Sequence, residues 1–104
     1  MSKLRVVVLE PGKEAYAKEI DNSVEGFQEV VGGYFEFIPV KYDYKLIMCE
    51  DGRPMQMPPN FYLENGTLIV GTVFFARAAD TEFISMSELD ARSMINACEH
   101  LRRA

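Results

Sequence analysis

Residues Thr67–Arg77 read TLIVGTVFFAR, the clearest central strand of the chain. β-Branched and aromatic side chains fit a pleated, buried surface. Gly71 interrupts the run, at a place where a missing side chain weakens a strand. Two readings of that glycine stand open: a bulge or close packing within the chain, or room for a ligand or another chain to reach the backbone. Leu4–Glu10, LRVVVLE, is a second apolar run of the kind that is buried on both faces, closed by the turn pair Pro11-Gly12. Glu14–Ile20 alternates well enough to be its hairpin partner. Tyr34–Val40, YFEFIPV, is a further strand, and Pro39 marks it as an edge or a bulge because proline cannot donate to a ladder. After the polar turn Lys41–Tyr44 comes a short strand, Lys45–Cys49.

Two helices complete the pattern. Asp21-Asn22-Ser23 offers capping side chains, and Glu25 stands in a capping-box position three residues after Asn22. Val24, Phe27, Val30 and Val31 then fall on one apolar face before Gly32-Gly33 ends the helix. Gly26 lies inside it, at a cost of about 1 kcal/mol relative to alanine. Ser87 caps the last helix, on which Ala91, Met94, Ile95, Cys98 and Leu101 recur at helical intervals, with His100, Arg102 and Arg103 at its carbonyl end. Arg53–Gly66, with Pro54, Pro58, Pro59 and Asn65-Gly66, reads as loop, and Asp80–Glu82 as a second loop before Phe83 and Ile84. The expectation is a single α+β domain over residues 1–104: a small, mostly antiparallel sheet of about five strands packed by two helices.

Composition removes several function classes. A chain of 104 residues, 48% apolar and 26% charged, builds one core without staples and is not a disordered sequence. Sixteen Asp or Glu against eleven Lys or Arg leave a net charge of −5, which argues against direct nucleic-acid binding. No apolar run approaches the ~18 residues of a bilayer span, and the first residues carry no signal core. Two distant cysteines then read as reduced thiols, and the expected location is cytoplasmic.

The inventory for catalysis is short. His100 is the one histidine. Cys98, two positions away on the same helix, diverges from it, so a thiol–imidazole pair would need Cys49 to come near. No Cys-x-x-Cys, no histidine pair at helical spacing and no acidic calcium loop occurs, so neither a metal site nor a cofactor is expected. Asp80, Glu82, Glu88 and Asp90 cluster in sequence, with solubility and helix-dipole compensation as their plain role. Asp21, Glu25 and Glu29 recur every four residues, about 6 Å apart along a helix. That interval resembles phosphate spacing and gives a hypothetical acidic, nucleic-acid-mimicking face; a solvated helix face is the plain alternative.

The segment Pro54–Tyr62 holds two methionines and two aromatics between prolines, a stiff loop with adaptable apolar contact surface, fit to lie across a sheet edge or a partner. Tyr34, Tyr42, Tyr44 and Tyr62 could share an exposed surface with it. A hypothetical binding site therefore comprises Tyr34, Pro58, Pro59, Asn60, Tyr62, Gly71 and Thr72. Aromatic strands with a proline-marked edge also suggest a homodimer.

The segments EPGK (Glu10–Lys13), EIDNS (Glu19–Ser23), VVGGY (Val30–Tyr34), PPN (Pro58–Asn60) and VGTVFF (Val70–Phe75), taken in order, resemble a family of small bacterial and phage proteins known as a domain of unknown function. The resemblance covers nearly the whole chain and departs at Arg53-Pro54-Met55. It implies an origin in phages, bacterial genomes or mobile elements, including modules of conjugative-element proteins associated with evading host defences. It brings no catalytic residues. Its recurring positions fall here on Pro11, Gly12, Gly32, Gly33, Pro59, Asn60, Gly71 and Thr72, which shape backbone more than they supply reactive groups.

The leading expectation is a non-catalytic accessory protein of phage or mobile-element type that binds a host or mobile-element protein, with host-defence evasion as the outcome. The alternative is a small-molecule, nucleotide-like ligand held at Gly71 and Thr72 under Pro58–Tyr62. A third reading is a small hydrolase using Glu50 or Asp51 with a borrowed metal.

Overall fold

The first strand shows how the layers arise. In the computed structural model, which describes residues 2–103, β1 (Lys3–Leu9) sends Leu4, Val6 and Val8 to one side and Val7 and Leu9 to the other, and all five are buried. Each side needs its own cover. On the first lies α1 (Val24–Val31) through Phe27 and Val31; on the second lie α2 (Glu88–Arg103) and a small separate hairpin.

β1 is joined in the main sheet by β2 (Tyr16–Asp21), β3 (Phe35–Pro39), β4 (Tyr44–Cys49), β7 (Val73–Ala79) and β8 (Glu82–Ile84). The sheet is antiparallel throughout, in the order β2-β1-β7-β4-β3 with β8 beside β7. β7 is central: Phe74 and Ala76 face α1, and Val73 and Phe75 face α2. β3 is an outer edge and ends on Pro39, as its sequence suggests. The α+β class, the antiparallel sheet and the two helices agree with the sequence pattern.

Four local readings are corrected. Thr67–Arg77 is not one strand. It is β6 (Leu68–Val70) and β7, broken at Gly71, whose φ of +77° turns the chain out of the main sheet. The supposed loop Arg53–Gly66 contains β5 (Pro59–Tyr62), which pairs with β6 to form the hairpin under α2. Pro59 concealed it, yet proline is tolerated as the first residue of a strand. Asp80 and Thr81 form a two-residue turn, Asp80 at φ +53°, that returns the chain as β8. Finally, Ser23 and not Asn22 caps α1, its Oγ accepting from the Gly26 amide at 3.0 Å. Glu25 is therefore in the first turn and outside a capping box, and Val24 lies 58% exposed, off the apolar face.

Gly26 itself is required by packing. A β-carbon there would lie 2.3 Å from the Asp21 carbonyl oxygen, so only glycine lets α1 sit this close to the end of β2.

Candidate functional site

Four segments remote in sequence line a cleft of about 680 Å3 on the α2 side of the sheet. Phe61 of β5 and Phe75 of β7 lie in it as near-parallel rings 6.5 Å apart, both buried. One wall is α2, which contributes Ser93, Met94, Ala97 and Leu101 at helical spacing. The Val40–Tyr44 turn forms a second wall and Leu63–Asn65 a third. Apolar and aromatic side chains dominate. Lys41 and Glu64 are the charged members, and neither forms an ion pair among the described residues.

A buttress holds the Val40–Tyr44 wall. Arg77 donates to Asp43 Oδ2 from Nη2 at 2.6 Å and from Nε at 3.1 Å, and its Nη1 reaches Asp90 Oδ2 at 3.0 Å. One guanidinium thus joins the turn, β7 and the first turn of α2. Hydrogen bonding from Arg77 lowers the Asp43 pKa below its ordinary value. Burial raises that of the neighbouring Tyr44 phenol, and the charge of Asp90 adds to the effect. Asp90 therefore anchors Arg77, beyond the solubility and dipole role that its sequence position suggests.

The residues singled out from sequence fall elsewhere. Gly71 and Asn60 do meet, but through the chain's own bonds: Asn60 Nδ2 donates to Gly71 O at 2.8 Å and to Leu9 O at 2.9 Å. The space beside Gly71 is filled by Met57, whose Sδ would stand 2.6 Å from a β-carbon there. Met57 also approaches Gly32 and Gly52, so one methionine plugs a recess bounded by three glycines. Of the two readings left open for Gly71, the geometry is that of close packing by Met57. Pro58 accepts from the Gly71 amide at 2.7 Å, and Pro59 opens β5 opposite Val70. Tyr62 is exposed one residue on from buried Phe61, on the other side of the strand, and Thr72 joins Gly71 to β7. Tyr34 lies exposed before β3, its carbonyl accepting from Glu50. Of the four tyrosines expected on one surface, Tyr42 and Tyr44 line the cleft and Tyr34 and Tyr62 do not.

The acidic face is also altered. Asp21 ends β2 instead of belonging to α1, and Lys3 pairs with it at 2.5 Å, leaving Glu25 and Glu29 as the exposed acids of that helix. Asp21 and Glu29 instead border a second cleft, of about 190 Å3, which also contains Lys3 and Lys18. Cys49 and Cys98 are buried on opposite faces of the sheet, while His100 is exposed, so no thiol–imidazole pair forms. Neither cleft is lined by Glu50 or Asp51, and among the described residues no three His, Cys, Asp or Glu side chains gather as a metal site.

The sequence model described as Domain of unknown function (DUF3846) matches residues 4–98. The chain belongs to the DUF3846 family. No curated protein and no solved structure is significantly similar to it. In this DUF3846 chain four of the positions that carry the resemblance perform structural tasks. Gly12 takes φ +73° in the turn after β1, Gly32 takes φ +86° to end α1, and Asn60 and Gly71 fasten the hairpin to the sheet. Arg53, where the resemblance weakens, is an exposed residue of a surface turn and donates to the Leu68 carbonyl. The cleft residues Val40, Leu63, Ser93, Met94, Ala97 and Leu101 form no site pattern in the sequence, because three separate segments supply them. A weak signal existed in the small pair Ser93 and Ala97 beside an apolar helical stripe.

Proposed function

We propose that this DUF3846 domain is a non-catalytic binding module that receives apolar side chains of a partner protein in the cleft between α2 and the Val40–Tyr44 turn. The observation that carries the reading is the cleft itself: an aromatic and aliphatic lining, open to solvent, with opposite charges Lys41 and Glu64 among its residues. Such a lining suits an apolar anchor flanked by one acidic and one basic side chain, because desolvated aromatic pockets give most of the energy of protein recognition. It suits a phosphate-bearing ligand poorly, since Lys41 is its one cation and Glu64 opposes it. The phage or mobile-element setting implied by the sequence resemblance makes a host-defence protein the partner class of first choice.

Selection from a random peptide library, with an Ala97→Trp variant that fills the cleft as counter-target, tests this. Apolar-anchored peptides that bind the native chain and lose at least about tenfold in affinity on the variant support it. Peptides that bind both proteins equally overturn it. A second reading, a small apolar ligand, is favoured by volume alone, since small-molecule pockets span roughly 300–1,000 Å3. Its signature is excess mass in native mass spectrometry that disappears on denaturation and is missing from Ala97→Trp.

A further inference from the structure

We propose that β3 is the dimerisation edge of this domain, pairing antiparallel with β3 of a second copy about a two-fold axis at Phe37. The phase of the hydrogen bonds identifies what the edge offers. At one end of β3 the Val40 amide donates to Tyr44 O at 3.1 Å, and at the other the Glu50 amide donates to Tyr34 O at 3.0 Å. Even-numbered residues between Tyr34 and Val40 therefore turn their backbone groups toward β4, and Phe35, Phe37 and Pro39 turn theirs outward. Among the described residues nothing bonds to the Phe35 or Phe37 amide from that side. Pro39, which has no N–H, occupies an outward position, so the β3–β4 ladder loses nothing.

The two outer edges of the sheet differ in how they are guarded. β2 carries Lys18 and Glu19 in mid-strand, charges of the kind that deter strand addition. β3 carries one charge, Glu36, and presents Phe37, 50% exposed and in edge contact with Phe83 at 5.6 Å between ring centroids.

Self-pairing must bring residues of the same sheet face together, which restricts the two-fold axis to a residue position. An axis at Glu36 sets Glu36 directly against the partner's Glu36, a like-charge pair at the close spacing of a non-hydrogen-bonded site. The axis at Phe37 avoids this. It places Phe37 on the partner's Phe37, Glu36 beside the partner's Ile38 and Tyr34 beside the partner's Val40. The Phe37 amides exchange bonds, and each Phe35 amide donates to the partner's Pro39 carbonyl, which is the one group that proline still offers. The edge is thus complementary to itself in that register. The resulting sheet is continuous and carries the two clefts on the same face, ready for bivalent binding.

Mass measurement in solution and residue-resolved amide exchange test the proposal together. The native chain is expected at twice 11.8 kDa, with Phe35 and Phe37 amides protected at high concentration and released on dilution. Phe37→Lys, at a half-exposed position, sets like charges opposite each other and is expected to weaken the dimer by roughly tenfold or more. A native chain that remains monomeric at its highest soluble concentration overturns the proposal. So does a dimer in which the Phe35 and Phe37 amides exchange freely, because its interface then lies elsewhere. Exchange is read on the native chain and does not depend on the variant folding.

Discussion

Asn60 and Arg102 meet where the hairpin, the end of β1 and the end of α2 converge. Asn60 Oδ1 accepts from Arg102 Nη2 at 2.6 Å while its amide nitrogen donates to the carbonyls of Leu9 and Gly71. Arg102 in turn donates to the carbonyls of Glu10 and Lys13. Its position at the end of α2 suggested dipole compensation, but its side chain ties the helix to the β1–β2 turn. Asn60→Asp keeps an acceptor for Arg102 and removes the donor, leaving a carboxylate against two carbonyl oxygens. The expected loss is about 1–3 kcal/mol of unfolding free energy, read by urea denaturation. Stability within error of the native value would show that the bonds to Leu9 and Gly71 carry no weight.

Gly26→Ala tests packing against propensity. In an open helix this change stabilises by about 1 kcal/mol. Here the new β-carbon would lie 2.3 Å from Asp21 O and 2.9 Å from Asp21 Cβ, and neither belongs to a flexible side-chain end. The sign should reverse, to a destabilisation of roughly 1–3 kcal/mol from overpacking. A higher denaturation midpoint would contradict the close approach of α1 to β2.

Gly71→Ala faces two penalties, a left-handed backbone at φ +77° and the Met57 sulfur at 2.6 Å. The backbone part costs about 1–2 kcal/mol. Met57→Ala relieves only the contact. In a double-mutant cycle the two changes together should cost less than the sum of their separate effects, with the backbone penalty remaining. Strict additivity would mean that Met57 does not fill the recess beside Gly71.

The pH dependence has two limbs of opposite sign. Asp43 is held below its ordinary value of 3.8 by the Arg77 hydrogen bond. The unfolded chain therefore takes up that proton first as pH falls. The stabilisation is whole above 3.8 and is lost as pH drops through the lower folded value. Asp43→Asn should flatten this part of the acid limb in a series of denaturation curves. At the alkaline end, burial pushes the Cys98 thiol from 9.0 to about 11, partly opposed by the Arg102 charge. A raised folded value means stability that is whole below 9.0 and lost as pH rises toward 11. Cys98→Ala should reduce that slope, leaving the part due to the Tyr16 and Tyr44 phenols, which burial also raises above 10.0, and in the native chain Cys98 should resist thiol reagents. An unchanged alkaline slope in Cys98→Ala would assign it to another group.

The sequence by itself determined the elements whose causes are local. The β1 run is apolar at both parities and fits a strand covered on both faces. Ser87 caps α2, its Oγ accepting from Asp90 N at 3.0 Å, because a serine ahead of a helical stripe satisfies an otherwise orphaned amide. Gly32 ends α1 because a left-handed turn is cheap only for glycine. Pro39 marked β3 as an edge or a bulge for an equally local reason, and β3 is an edge. The α+β class followed from such signals, whereas the family is shown by the match of a sequence model over residues 4–98.

The sequence located the interruption of Thr67–Arg77 at Gly71, and tertiary structure decided that the run divides there, where Met57 and Pro58 pack and bond against the glycine. It also decided that Pro59–Tyr62 is a strand, whose register depends on a partner beyond an intervening turn. Arg77 acquired its role from Asp43 and Asp90, 34 and 13 residues away. The cleft arose from four segments whose separate patterns show only ordinary turns, strands and an ordinary helix. Capping, turns and alternation act between near neighbours in the chain. Clefts and ion-pair buttresses act between residues that only the closed fold brings together.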